Sequence, residues 1–182
     1  MTASVFSQTP LDVSALLRDG QGRWKLDPAG SDVEFHVKHL WGAITVHGHF
    51  ERFEGEGTVD EDGNVSGQLR IEAASLTTKN RKRDQHLRSA EFFDAEHYPS
   101  VVVTVRHLAP EGHALRGEVT LEAAGRRQVL APTVEVIEAT SGWVILRSEV
   151  VVDRTAFEMT WSPLKLASYP ARAVVTARFV SS

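Results

Sequence analysis

Histidine and carboxylate are the side chains in this sequence best suited to do chemistry, and His36, His47 and His49 come nearest to a recognisable pattern. His47 and His49 are two residues apart, a spacing that puts both imidazoles on one face of a strand, where they could share a zinc or nickel ion. Glu34 is the one carboxylate this pattern brings beside them, so the ligand set is incomplete. General acid–base work could fall to His39, His86 or Asp84, but no nucleophile stands in a recognisable pairing with a base. A histidine-based metal or haem site and an acid–base enzyme are thus the alternatives to a noncatalytic role.

Other chemical signatures fail on spacing. "GNVSG" at 63–67 is not a G-x-S-x-G nucleophile elbow, and "GEGTVDEDG" lacks the third glycine and the strand-to-helix setting of a dinucleotide fingerprint. Glu54 with Glu56, and Asp60 with Asp62, sit beside glycines and read as solvated turns. Cysteine is absent, which removes disulfides, thiolate metal sites and a cysteine nucleophile. A net charge of −4 over 182 residues gives no broad basic field for nucleic acid. No run of eighteen apolar residues exists to span a membrane as a helix, and the opening segment does not read as a signal peptide, so a soluble, cytoplasmic protein is expected.

The elements that would position these residues are strands. From Trp24 onward, apolar alternation is broken by Gly, Asp, Asn or Pro about every 8–12 residues. Eight segments qualify: "VEFHVKHL", "AITVHGHFERFEG", "GQLRIEA", "VVVTVRHL", "ALRGEVTLEA", "PTVEVIEA", "WVILRSEVVVD" and "ARAVVTARFV". An open sheet of this size would leave two exposed edges, and closure removes both, so the expected fold is all-β, an eight-stranded antiparallel up-and-down barrel. Residues 1–22 read as an N-terminal extension with a short helix capped by Asp12 and ended by Gly20, and residues 23–182 as the barrel domain. The extension offers few apolar residues and is expected to be dispensable for folding; docking of Leu11, Leu16 and Leu17 as a plug is the alternative.

The first hairpin can be read in register. With Trp41-Gly42 as a two-residue turn, His39 faces Ile44, Val37 faces Val46 and Phe35 faces Gly48, while Lys38, His36 and Glu34 pair with Thr45, His47 and His49 on the other face. The outward His36–His47 pair is also a candidate homodimer contact. Inward parity along the strands selects Phe35, Val37, Phe50, Leu69, Ile71, Val103, Val119, Leu121, Val175 and Phe179. His39 shares that face as a satisfied core histidine or a contact to a ligand's head group. Small residues at Gly48, Gly67, Ala73, Gly117, Ala173 and Ala177 suggest room for a cavity.

Three blocks carry a family resemblance: "WKLDPAGSDVEFHVKHLWGAITVHGHFERFEG", "IEAASLTTKNRKRDQHLRSAEFFDAEHYPSVVVTV" and "VVVDRTAFEMTW". Together they resemble the YceI-like family of lipocalin-like barrels, over about residues 24–181. The resemblance implies an elongated apolar pocket for a polyisoprenoid or other long-chain lipid, with no cofactor, and a helical segment at 79–98 packed on the barrel; an enzyme acting on such a lipid through His39, His86 or Asp84 is the alternative. Leu87, Ala90 and Phe93 then form the apolar stripe of one short helix, which adds Phe93 to the lining. Arg83, Asp84, Arg88 and Glu91 stay wet or pair locally, Asp84 with Arg88 at i, i+4. Asp153-Arg154 matches the family's "DR" motif and reads as structural. The family usually places Phe where Val103 stands.

Overall fold

The computed structural model describes residues 12–39, 43–160 and 167–182. In chain order these form helix α1 (Val13–Asp19), strands β1 (Gly22–Leu26), β2 (Asp32–His39), β3 (Ile44–Phe50), β4 (Phe53–Val59), β5 (Val65–Glu72) and β6 (Leu76–Thr77), then helix α2 (Arg81–Arg88). Strands β7 (Ser100–Glu111), β8 (Ala114–Ala123), β9 (Arg126–Leu130), β10 (Thr133–Ala139), β11 (Trp143–Asp153) and β12 (Ala167–Ser181) follow. Eight of them close a ring in the order β1, β4, β5, β7, β8, β10, β11, β12, with β12 pairing back onto β1. Every pairing is antiparallel, and the sheet has the barrel form that the alternation implied.

Closure depends on the length of β12. Its last residues pair with β1, Phe179 opposite Leu26, and its earlier ones with β2, Ala173 opposite Phe35. Between these two partners the chain makes a tight turn at Pro28–Gly30, started by Asp27, whose carboxylate accepts from Ala29 N. Pro28 fits there because the first helical position needs no backbone donor. Arg178 of β12 donates to the Asp27 carboxylate at 2.6 Å and ties the turn to the closing strand.

The β2–β3 hairpin has the expected register at all six positions, from His39 opposite Ile44 to Glu34 opposite His49. Its turn, residues 40–42, lies outside the described residues. Two other expectations change. The segment "AITVHGHFERFEG" is two strands, β3 and β4, with Glu51 and Arg52 between them. β9 is an additional strand, joined to β8 by Ala124-Gly125, both with positive φ, the geometry of a tight hairpin turn.

The helix at 81 stops at Arg88 and does not run to Phe93. Ser89 is extended and its hydroxyl donates to His86 O, then Phe93 N reaches back to Leu87 O and Asp94 N to Ser89 O. On a continuing helix, adjacent residues would point about 100° apart. The irregular turn lets Phe92 and Phe93 both pack on the barrel, and Phe92 is the more deeply buried. The expected Asp84–Arg88 pair is also replaced. Asp84 is buried and accepts from Thr78 N and from the hydroxyls of Thr78 and Thr77, while Arg88 donates to Leu76 O at 2.6 Å. Both residues fasten the helix to the strand before it.

Helix α1 is part of the core. Val13 is fully buried and Leu17 is 7% exposed, in a cluster with Val59, Leu108, Leu115 and Val119. The helix is amphipathic with a four-residue repeat, and its Asp12 cap, which accepts from Ala15 N, starts it where the sequence indicated. Leu16 is half-buried, and Leu11 lies outside the described residues. Two apolar residues on one stripe suffice to dock this segment, which the low apolar count of residues 1–22 obscured.

Candidate functional site

The barrel interior is lined by two contiguous apolar clusters. One, with α1, is described above and takes in Trp24, Val103, Val105 and Leu130 at its margin. The other holds Val33, Phe50, Ile71, Leu76, Phe92, Val101 and Val152 on the side of α2. Aromatic rings organise it: Phe35 and Phe50 lie 5.6 Å apart, and Phe50 meets Phe93 edge-on at 5.7 Å. Leu130 touches both clusters, so the apolar surface runs through the barrel.

The structure places the residues selected from the sequence in three groups. Phe35, Phe50, Leu69, Ile71, Phe93, Leu121 and Val175 meet in the cluster beside α2, and Val103 and Val119 in the one beside α1. Val37 and Phe179 are half-buried outside both, Val37 opposite Val46 and Phe179 between Leu26 and Val144. His39 pairs through its backbone with Ile44 and Ala167. The expected contact of its imidazole with a head group lies outside the described part of the structure.

Sequence parity missed Phe92, Phe157 and Met159, all buried in the α2-side cluster. They lie in irregular backbone, where neither the two-residue nor the helical period applies. The turn Arg154–Phe157 carries Phe157, and Met159 follows two residues on. Asp153 caps it by accepting from Thr155 N and from the Thr155 hydroxyl, which holds the carboxyl below its ordinary value. Arg154 is only 8% exposed, donates to Met159 O at 3.3 Å and lies over the Phe92 ring at 5.9 Å. The "DR" pair thus holds this turn against the barrel.

The glycines expected to leave space are filled by neighbours. The Phe35 ring packs on Gly48, and a Cβ on Gly67 would run into the Glu56 carbonyl. Ala73, Ala173 and Ala177 are likewise packed or buried.

Outside the barrel, His36, His47 and His49 share an open cavity of about 360 Å³ with Glu34, Thr77, Lys79 and Arg83. The His36 and His47 rings are 4.4 Å apart. Arginine can only donate, so His36 Nδ1 accepts from Arg172 at 2.9 Å and Nε2 donates to Glu34 at 3.1 Å. With both nitrogens engaged, His36 has no lone pair to offer a metal. Among the described residues, no three His, Asp or Glu side chains form a metal-holding group. Nearby, Asp32 is raised above its ordinary value, first by burial and then by its hydrogen bond with Glu34.

A closed antiparallel barrel with an apolar interior, closed over by short helices and turns, is a lipocalin-like architecture. The YceI-like domain matches residues 24–179, and the chain belongs to that family. A UPF0312 protein of Photorhabdus laumondii is 32% identical over 113 residues, covering 59% of this chain and 58% of the relative. Protein YceI of Escherichia coli O157:H7 is 33% identical over 104 residues, 54% of each. The chain therefore spans little more than half the length of these curated relatives. Among solved structures, Burkholderia cenocepacia BcnA superimposes with a TM-score of 0.76 at 19% identity, over 84% of this chain and 98% of that one. A polyisoprenoid binding domain from Saccharophagus degradans gives 0.69 at 14% identity, over 87% and 98%. These two likenesses concern the fold. No described helix is long and apolar enough to cross a membrane.

Proposed function

We propose that the protein binds a long-chain apolar ligand, a polyisoprenoid or another lipid, in the barrel interior and sequesters or carries it without catalysis. The observation that carries this reading is the unbroken apolar lining from Val103 and Val119, through Leu130, to Phe50 and Phe93. Family membership supports it, as does the name of the Saccharophagus degradans domain. The proposed lining is Phe35, Val37, His39, Phe50, Leu69, Ile71, Phe93, Val103, Val119, Leu121, Val175 and Phe179.

The energetics are adequate. Burying one five-carbon isoprene unit contributes at most about 3–4 kcal/mol at roughly 0.8 per methylene-sized group, before ordering costs. Two or three units reach the roughly 8 kcal/mol of a micromolar complex. Extraction of the purified protein with organic solvent, followed by mass spectrometry, should release a long-chain lipid in near-stoichiometric amount. Recovery of lipid only at the level of a control barrel-free protein would count against the reading.

A further inference from the structure

Among the described residues, β9 and the end of β11 pack side chains into one cluster with no ladder between them. β9 pairs only with β8 among the described residues, and β11 from Glu149 to Asp153 pairs among them only with β12. Side chains close this seam: Val150 and Val152 from β11, Leu130 from β9, Phe157 from the turn after β11 and Met159 just beyond it. At its rim Arg126 of β9 meets Glu158 at 2.6 Å.

Gln128 lies on β9 at this seam. It stands opposite Leu121 and between Arg126 and Leu130 on the strand face that turns inward. Its side-chain oxygen is shielded from solvent and has no hydrogen-bond partner among the described residues. An amide oxygen in an apolar interior is costly unless a donor reaches it, and so such atoms are nearly always paired. The described apolar side chains that close the seam, Leu130, Val150, Val152, Phe157 and Met159, supply no such donor, and neither Arg126 nor Arg154, which engage Glu158 and Met159 O, bonds it.

We infer that Gln128 is the polar contact of the ligand site and takes a long apolar chain whose end carries a hydrogen-bond donor, an alcohol or a primary amide. The inference rests on the proposed binding of an apolar chain in the interior and adds the class of head group. The tail lies among the cluster residues beside α2, and the donor end sits at the seam, where no backbone ladder fences it off. A hydrocarbon or a methyl ether of the same length fills the same apolar space but leaves the Gln128 oxygen unsatisfied. Discrimination of this kind arises because a buried polar group on the protein is left unpaired by the wrong ligand.

The test compares farnesol with its methyl ether by calorimetric titration into the parent protein and into Gln128→Leu. Farnesol is expected to bind the parent about tenfold more tightly than the ether, the order of effect of one buried hydrogen bond. In Gln128→Leu, which keeps the volume and removes the unpaired oxygen, the preference should vanish while the ether binds at least as well as before. A Gln128→Met variant controls for side-chain shape and should behave like the leucine variant. A preference that survives both substitutions, or a parent that binds alcohol and ether equally, overturns the assignment while leaving apolar binding intact. Binding of neither molecule by the parent removes the apolar-ligand reading and this inference with it.

Discussion

The Phe35 ring lies on Gly48, its cross-strand partner, so closely that a methyl group on the glycine would overlap the ring. From there Phe35 reaches Phe50, and Phe50 reaches Phe93 on the turn after α2. The missing side chain at Gly48 thus seats the aromatic row that joins the first hairpin to the helical cover.

Gly48→Ala should therefore cost about 1–3 kcal/mol by overpacking, read as a lower denaturation midpoint at unchanged m. Combining it with Phe35→Leu should recover part of that loss, because the two residues share one space. Strict additivity of the two changes would show that the ring does not depend on the glycine.

How legible this contact was in the sequence is instructive. The hairpin register could be read because both strands alternate strictly and a one-residue slip would have exchanged their faces. The same alternation identified most of the interior, including Phe50, Ile71 and Val119. It could not say that Gly48 is covered by Phe35, since an absent side chain looks alike above a void and beneath a ring. β9 escaped notice because Ala124-Gly125 is a weaker turn signal than Asn-Gly, and with it the setting of Gln128. Phe157 ends, and Met159 follows, a turn whose direction is set by the Asp153 cap and the buried Arg154, neither of which has a period to read.

Helix α1 gives a second prediction. Leu17→Ala should destabilise the protein by about 2–5 kcal/mol, as for other buried leucines. Removing residues 1–21 should cost at least about 3 kcal/mol by exposing the surface that Val13 and Leu17 cover. Thermal unfolding of the truncated chain checks this directly, and an unchanged midpoint would make the helix an ornament on a self-sufficient barrel.

Acid titration should separate three carboxyls by sign. Asp60 is held below its ordinary 3.8, chiefly by the Asn64 backbone N–H, and Asp153 below 3.8, chiefly by the Thr155 hydroxyl. Their contributions to stability are complete above 3.8 and disappear as pH falls through the lower folded-state values. Asp32 is shifted the other way, first by burial, so its folded form holds the proton longer and stability falls as pH rises from 3.8 through its raised value. Carboxyl NMR titrations should place Asp60 and Asp153 under 3.8 and Asp32 over it, and Asp153→Asn should flatten the acid limb of the stability curve.

The central claim is that the barrel interior receives an apolar chain, and titration with a fluorescent prenyl probe tests it most directly. The parent should take up the probe saturably at one per chain. Val175→Trp, which places a large ring in the cluster beside α2, should lose that uptake while its circular dichroism stays that of a strand-rich fold. No saturable uptake by the parent, or equal uptake by the folded Val175→Trp variant, would contradict it.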